Sequence, residues 1–287
     1  MTDSPTNGAG HAQQGGKTQG ADWQDIRSAL RRGLHDFRTV AAFLTVLPDR
    51  RAEPDTGAGQ GALSAGGFLH RAMAMFPVVG AGVGAAAGAA LVLADMIGLP
   101  PMVAAPVGLA VLVAATGALH EDGLGDVADG FGGGRTREDK LRIMRDSRVG
   151  TYGVIAVLFS IGLRAAALAA LPALPAAAAL IAASALSRAM LPAILCGLPA
   201  ARPSGLGVAA GRPQRRTVVL ALAIGGLIAL IVLEPAAAVL ATAMAALGAA
   251  AVALLAHRQI GGQTGDVCGA AQQAAEVAVL LAIVAWR

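Results

Sequence analysis

The segment HEDGLGDVADGFGGG, residues 120–134, places five ionisable groups, His120, Glu121, Asp122, Asp126 and Asp129, within ten residues. Asp122, Asp126 and Asp129 stand at i, i+4 and i+7, a spacing that puts three carboxylates on one helix face across two turns. Like charges that close repel unless something positive sits among them, and hard oxygen donors in that number suit Mg²⁺. A Mg²⁺ so held keeps positions open for substrate phosphates and neutralises charge during in-line displacement. The plain alternative for such a run is a solvated acidic helix end. Gly123, Gly125, Gly130 and Gly132 to Gly134 would let a bulky phosphate approach the backbone. His120 abuts the acidic cluster and is a candidate proton carrier.

Two further stretches carry compatible chemistry. IMRDSRVGTYG, 143–153, presents Arg145, Asp146, Arg148 and Thr151. Arginine forks bind phosphate oxygens bidentately, and Asp146 reads either as a further metal ligand or as a group that orients an arginine. GGQTGDVCGA, 261–270, combines a glycine turn with the oxygen and amide groups of Gln263, Thr264 and Asp266. Alone, that third stretch reads as a helix-capping loop.

The elements that must position these groups lie in a bilayer. Hydrophobic residues make up 55% of the chain and charged residues 14%, and the mean hydropathy is +0.63, against roughly 25% charge in soluble domains. At 3% aromatic residues there is no stacking platform for bases, and the net charge of +4 comes from arginines in a few segments, so no nucleic-acid partner is expected. Cys196 and Cys268 have no metal-ligand spacing. Residues 1–22, polar and rich in Gly, Gln and Thr, read as a disordered tail without the order of a signal peptide. The remainder, 23–287, reads as one membrane-embedded catalytic domain.

From 23 to 47, Ile26, Leu30, Leu34, Phe37, Val40, Ala41 and Leu44 recur at helical spacing among arginines. This suits an amphipathic helix lying in the membrane interface, stopped at Pro48 and followed by a Gly-rich loop to about 67. A span needs about twenty apolar residues. Candidates are 74–97, 101–119, 152–172, 176–198, 217–233, 236–256 and 272–286, an all-α polytopic bundle of about seven transmembrane helices. Gly80, Gly84 and Gly88 form a small-residue ridge for helix packing, with a dimer seam as its functional alternative. With the N-terminus in the cytoplasm, the loops 120–151, 199–216 and 257–271 share that side and hold nearly every inter-span Arg and Lys. The clear mid-span charges are Arg164 and Arg188, fewer than passage through the bilayer requires, so catalysis at one face fits better.

Together these motifs resemble the cobalamin synthase family, the adenosylcobinamide-GDP ribazoletransferases. The likeness runs through FLTVLPDR (43–50), MFPVVGAGVGA (75–85), GALHEDGLGDVADG (117–130), IMRDSRVGTYG (143–153), Ala185-Leu186-Ser187-Arg188 and GGQTGDVCGA (261–270). It implies a multi-pass inner-membrane enzyme that uses Mg²⁺, with its active site in the cytoplasm. Its substrates would be adenosylcobinamide-GDP and α-ribazole or α-ribazole 5′-phosphate. The ribazole hydroxyl would attack the phosphorus nearer the cobinamide, GMP would leave, and adenosylcobalamin or its 5′-phosphate would result. On that likeness Asp122, Asp126 and Asp129 hold the metal, and Arg145, Arg148, Arg188, Gln263 and Thr264 hold substrate phosphate. His120, Asp146 and Asp266 are catalytic, with Asp266 or His120 taking the hydroxyl proton. Glu121 and Cys268 are assigned no role. Expected partners are the bilayer and either a second copy of the chain or other enzymes of nucleotide-loop assembly. A phosphotransferase of the CDP-alcohol type is the competing enzyme reading, although DGLGDV lacks that signature's Ala-Arg, and a transporter is the competing reading from another class.

Overall fold

The computed structural model describes residues 18–47 and 69–287. The tail as far as residue 17 and the Gly-rich loop after Pro48 lie outside them. The chain divides into two compact units, 1–35 and 36–287, and the division falls inside a helix. That helix is α1 (Thr18–Leu44). In the first unit Trp23, Leu30 and Leu34 are exposed, as are Arg27, Arg31 and Arg32. Apolar and cationic side chains displayed together suit a helix that lies on a membrane. In the second unit Val40, Ala41 and Leu44 of α1 are buried in the hydrophobic core.

The second unit is helical throughout its described residues, apart from connecting turns and one isolated bridge between Ala200 and Gln263. A short turn, α2 (Leu69–Ala72), and a 3₁₀ turn lead into α3 (Phe76–Met96). There follow α4 (Pro101–Thr116), α5 (Leu119–Gly133), α6 (Arg137–Ile143), α7 (Thr151–Ala169) and α8 (Ala173–Ala189). The chain ends with α9 (Leu191–Gly197), α10 (Leu206–Ala209), α11 (Arg215–Val232), α12 (Pro235–Ile260) and α13 (Gly265–Trp286). Among the described residues six segments are long and apolar enough to cross a membrane, and α4 with α5 makes a seventh if that bent pair is one span. The fold is an all-α polytopic membrane bundle. Its outer surface carries Leu158, Phe159, Ile231 and Val239, each more than half exposed, as lipid contact demands.

The α8–α9 segment is 83% buried and α11 and α12 only 22% each, so α8 is the axis of the bundle and α11 and α12 an outer wall. α3 lies against α8 along its glycine ridge. A Cβ at Gly84 would stand 2.6 Å from the Leu180 carbonyl oxygen, and one at Gly88 would stand 2.9 Å from Ala177 Cβ. The ridge is therefore spent on an internal seam, not offered to a second copy.

The acidic segment does not continue its span. Gly117 (φ 60°) and Ala118 (φ 59°) both adopt the left-handed conformation, α4 ends there, and α5 leaves at 88°. A β-carbon makes that conformation unfavourable by about 1–2 kcal/mol, so surrounding structure must hold Ala118 in place. The last span is longer than its hydropathy suggests, because α13 begins at Gly265 and includes the polar GDVCGA turn.

Candidate functional site

Asp122, Asp126 and Asp129 are successively exposed, half-buried and buried along α5. Asp266 joins them from the first turn of α13. Thr264 caps that turn, its Oγ1 accepting from the Val267 amide at 3.2 Å and donating to Asp266 Oδ2 at 3.2 Å. The two helices meet where neither has a side chain. A Cβ at Gly123 would lie 2.9 Å from the Asp266 carbonyl oxygen, and one at Gly269 would lie 3.2 Å from Gly123 Cα. The remaining glycines of α5 serve packing as well. Gly132 sits under the Tyr152 ring and Gly130 against Lys140 and Met144, so these glycines bring helices together instead of opening backbone to a phosphate.

Asp126 experiences the fields of Asp122, Asp266 and Asp129, offset by Arg202. Arg202 Nη2 lies 3.2 Å from Asp266 Oδ2, with side chains only 12% and 16% exposed. Gly205, at φ +119°, closes over the guanidinium, and a Cβ there would lie 3.0 Å from Arg202 Nε. In the sequence Arg202 is one of the loop positives of 199–216. Its one local signal is the glycine three residues on, and the pairing with Asp266 spans the fold.

Among the described residues no three His, Cys, Asp or Glu side chains surround a common point in the manner of a metal centre. Asp129 has other work. Its Oδ2 accepts from the Gly150 amide at 2.7 Å and its Oδ1 from the Gly153 amide at 2.9 Å. It thereby caps the start of α7, where a helix leaves amides unpaired and favours negative charge. Asp122 and Asp126 remain as oxygen donors beside Asp266. That set fits a Mg²⁺ held by one or two carboxylates and completed by water and substrate phosphates.

The Asp129 bonds also tether the loop that carries Arg145, Asp146 and Arg148. Asp146 orients Arg148, with Nη2 to Oδ2 at 2.7 Å, Nε to Oδ1 at 3.0 Å and the Arg148 amide to Oδ1 at 3.1 Å. This fork lowers the Asp146 pKa to about 2. Arg148 and Arg145 are themselves exposed. Arg137, in a segment that reads as an ordinary basic loop, donates to the Ile260 carbonyl at 2.8 Å and the Ala201 carbonyl at 2.7 Å. Ala201 in turn donates its amide to the Gln263 carbonyl at 2.8 Å. The loops after α5, after α9 and before α13 are thus joined at one end of the bundle.

His120 and Arg188 stand apart from this cluster. At roughly 100° per residue, His120 is about 160° around α5 from Asp122 and about 180° from Asp129. It is 2% exposed, and its Nε2 has no hydrogen-bond partner among the described residues. Arg188 is fully buried, 3.6 Å from Glu276 Oε2, and donates to the Ser184 carbonyl. Glu121, given no role from the sequence, lies in the same interior. Arg164 bridges it at 3.0 Å and Glu276 at 2.9 Å. Gln273 donates to Glu121, Gln272 to Ser187, and Ser160 to Gln273. Two arginines and two glutamates therefore balance inside the bundle. Hydropathy hid Glu276, the single charge within 272–286.

Fold and site together define a polytopic helical membrane protein with a carboxylate- and arginine-bearing cluster at one end of its bundle. The chain belongs to the cobalamin-5-phosphate synthase family, whose family model matches residues 36–284. It is 45% identical over 259 residues to an adenosylcobinamide-GDP ribazoletransferase of Bradyrhizobium diazoefficiens, covering 90% of this chain and 96% of that one. A protein of the same name from Azorhizobium caulinodans is 46% identical over 226 residues, 76% of this chain and 85% of that one. A third, from Brucella anthropi, is 43% identical over 224 residues, 75% of this chain and 86% of that one. No solved structure matches the chain. The family match supersedes both competing readings, the CDP-alcohol phosphotransferase and the transporter.

Proposed function

We propose that this chain is an adenosylcobinamide-GDP ribazoletransferase working at the cytoplasmic face of an inner membrane. A hydroxyl of α-ribazole, or of its 5′-phosphate, forms a bond to the phosphorus nearer the cobinamide. The bond from that phosphorus to the bridging oxygen breaks, and GMP departs with the electron pair. The hydroxyl proton goes to a carboxylate of the cluster, and Asp266, at the head of α13 beside Asp126, is the group assigned to take it. The observation that carries this reading is the crossing of α5 and α13 at Gly123 and Asp266, which brings Asp266 against the helix that carries Asp122 and Asp126, in a bundle whose sequence matches the family over residues 36–284.

Asp122 and Asp126 are the residues that would hold Mg²⁺. Bound there, the ion supplies charge neutralisation for a pyrophosphate and its leaving group. Arg202, already inside the carboxylate cluster, and Arg148, aimed by Asp146, hold phosphoryl oxygens, and donors fixed in advance need no reorganisation as charge shifts. Thr264 fixes the first turn of α13 and with it the place of Asp266. Asp129 acts by anchoring the arginine loop to α5. Loops rich in Arg and Lys favour the cytoplasmic side, where water-soluble nucleotide substrates reach the site without crossing lipid.

The test is release of GMP by the purified protein in lipid nanodiscs, given Mg²⁺, adenosylcobinamide-GDP and α-ribazole. Turnover that stops on chelation and returns with Mg²⁺ is the expected result. No GMP release, under conditions where the Bradyrhizobium relative works, would overturn the proposal.

A further inference from the structure

A partly open cavity of about 50 Å³ lies beside the first turns of α5 and α13, lined by Phe43, Phe76, Leu191, Leu195, Cys268 and His120. One water needs roughly 10–15 Å³ by the same measure, so the space is larger than a hydration site. Phe43 and Phe76 stack there with ring centroids 6.2 Å apart and planes 20° from parallel. The wall holds a single unsatisfied polar atom, His120 Nε2, on a side chain that is 2% exposed. A buried nitrogen left unpaired is costly, so its place in the wall calls for a ligand that brings one matching group.

Gly207 and Gly265 also line the cavity and connect it to the cluster. Gln263 approaches at that point, since a Cβ at Gly207 would lie 2.5 Å from Gln263 Oε1. That oxygen is a second buried polar atom without a partner among the described residues here. Asp266 follows Gly265 directly. An apolar chamber thus has one unpaired nitrogen in its wall and one unpaired oxygen near its edge, next to the carboxylate that receives a proton.

We infer that this cavity binds the heterocyclic base of the ribazole acceptor, with the ribose projecting past Gln263 toward Asp266. The inference rests on the ribazoletransferase reading. A benzimidazole joined to ribose through one nitrogen keeps a single ring acceptor, and the rest of its edge is apolar. His120 Nε2–H satisfies that acceptor, the phenylalanines and leucines cover the ring, and Gln263 Oε1 accepts from a ribose hydroxyl. Guanine or adenine would bring several edge donors and acceptors to a wall with one partner, leaving the others buried and unpaired. His120 then serves as a specificity-determining group on the opposite side of α5 from the aspartates.

The test uses full-length protein in nanodiscs and follows binding of free α-ribazole through the fluorescence of its ring, alongside GMP release. Cys268→Met extends a side chain into the cavity and should raise the KM for α-ribazole about tenfold or more. The KM for adenosylcobinamide-GDP should stay unchanged. Gly162→Ala, where nothing lies within 4 Å, should bind α-ribazole as the parent does, and helical circular dichroism of both variants reports on folding. With the parent protein, benzimidazole riboside should compete with α-ribazole, and adenosine should compete at least about tenfold less well. A Cys268→Met protein with unaltered KM for α-ribazole would place the base outside this cavity, and adenosine competing equally would show that its one polar partner does not select the base; either would overturn the inference. Either result with normal turnover leaves the ribazoletransferase reading intact, and absence of turnover in the parent sinks that reading first.

Discussion

Replacing Glu276 by Gln removes one negative charge from a compartment that water does not reach. Arg164, Arg188 and Glu276 have side chains that are 0% exposed, and the Glu121 side chain is 6% exposed. The parent interior is balanced, with two guanidiniums facing two carboxylates. In Glu276→Gln, Arg164 keeps Glu121 at 3.0 Å, but Arg188 loses the one ion-pair partner it has among the described residues, at 3.6 Å. Breaking a buried pair from one side costs about 3–5 kcal/mol, since the remaining charge stays desolvated. That is a large part of the about 5–15 kcal/mol that holds a typical fold. The balanced double variant Arg188→Met/Glu276→Gln removes one charge of each sign and leaves Arg164 with Glu121. It should recover half or more of the loss. The assay is unfolding in nanodiscs of fixed lipid composition, followed by helical circular dichroism for the parent, both single variants and the double. An unperturbed Glu276→Gln protein would refute the buried-charge account, as would a double variant no more stable than the sum of its single losses.

Three further outcomes follow from the same geometry. Gly153→Ala, favourable by helix propensity alone, should instead be destabilising by about 1–3 kcal/mol: the added methyl meets Asp129, and would lie 2.9 Å from the Gly125 carbonyl oxygen. Thermal unfolding checks it, with Gly162→Ala, where nothing lies within 4 Å, as the stabilised control. The Asp146 carboxyl, held to about 2 by Arg148, should return toward about 3.9 in Arg148→Gln. Because its folded pKa is depressed, the pairing is complete above the unfolded value and is lost as pH falls through about 2, which a carboxyl ¹³C titration would follow. A cysteine at Glu138, whose side chain is 78% exposed, should be labelled only by reagents that enter the cytoplasm. Labelling from outside the cell would reverse the proposed orientation.

Hydropathy and composition were enough to reveal the helices, because a span that must pair its own backbone in lipid leaves a continuous apolar record. The ridge of Gly80, Gly84 and Gly88 was legible as a packing surface for the same local reason, and so was the helical face shared by Asp122, Asp126 and Asp129. Family membership was legible from the order of the motifs. Which groups meet was not, since contacts between residues from about twenty to more than a hundred positions apart depend on how helices cross. Only the tertiary structure turned α5 by 88° at Gly117 and Ala118 and carried Asp266 and Arg202 to Asp126. It also gave Asp129 to the amides of Gly150 and Gly153. Glu121 and Glu276 look like an idle loop charge and an isolated flaw in a span until Arg164 stands between them. A charge is tolerable in a dry interior only when its partner arrives from another helix, and the partner's position is set by the fold.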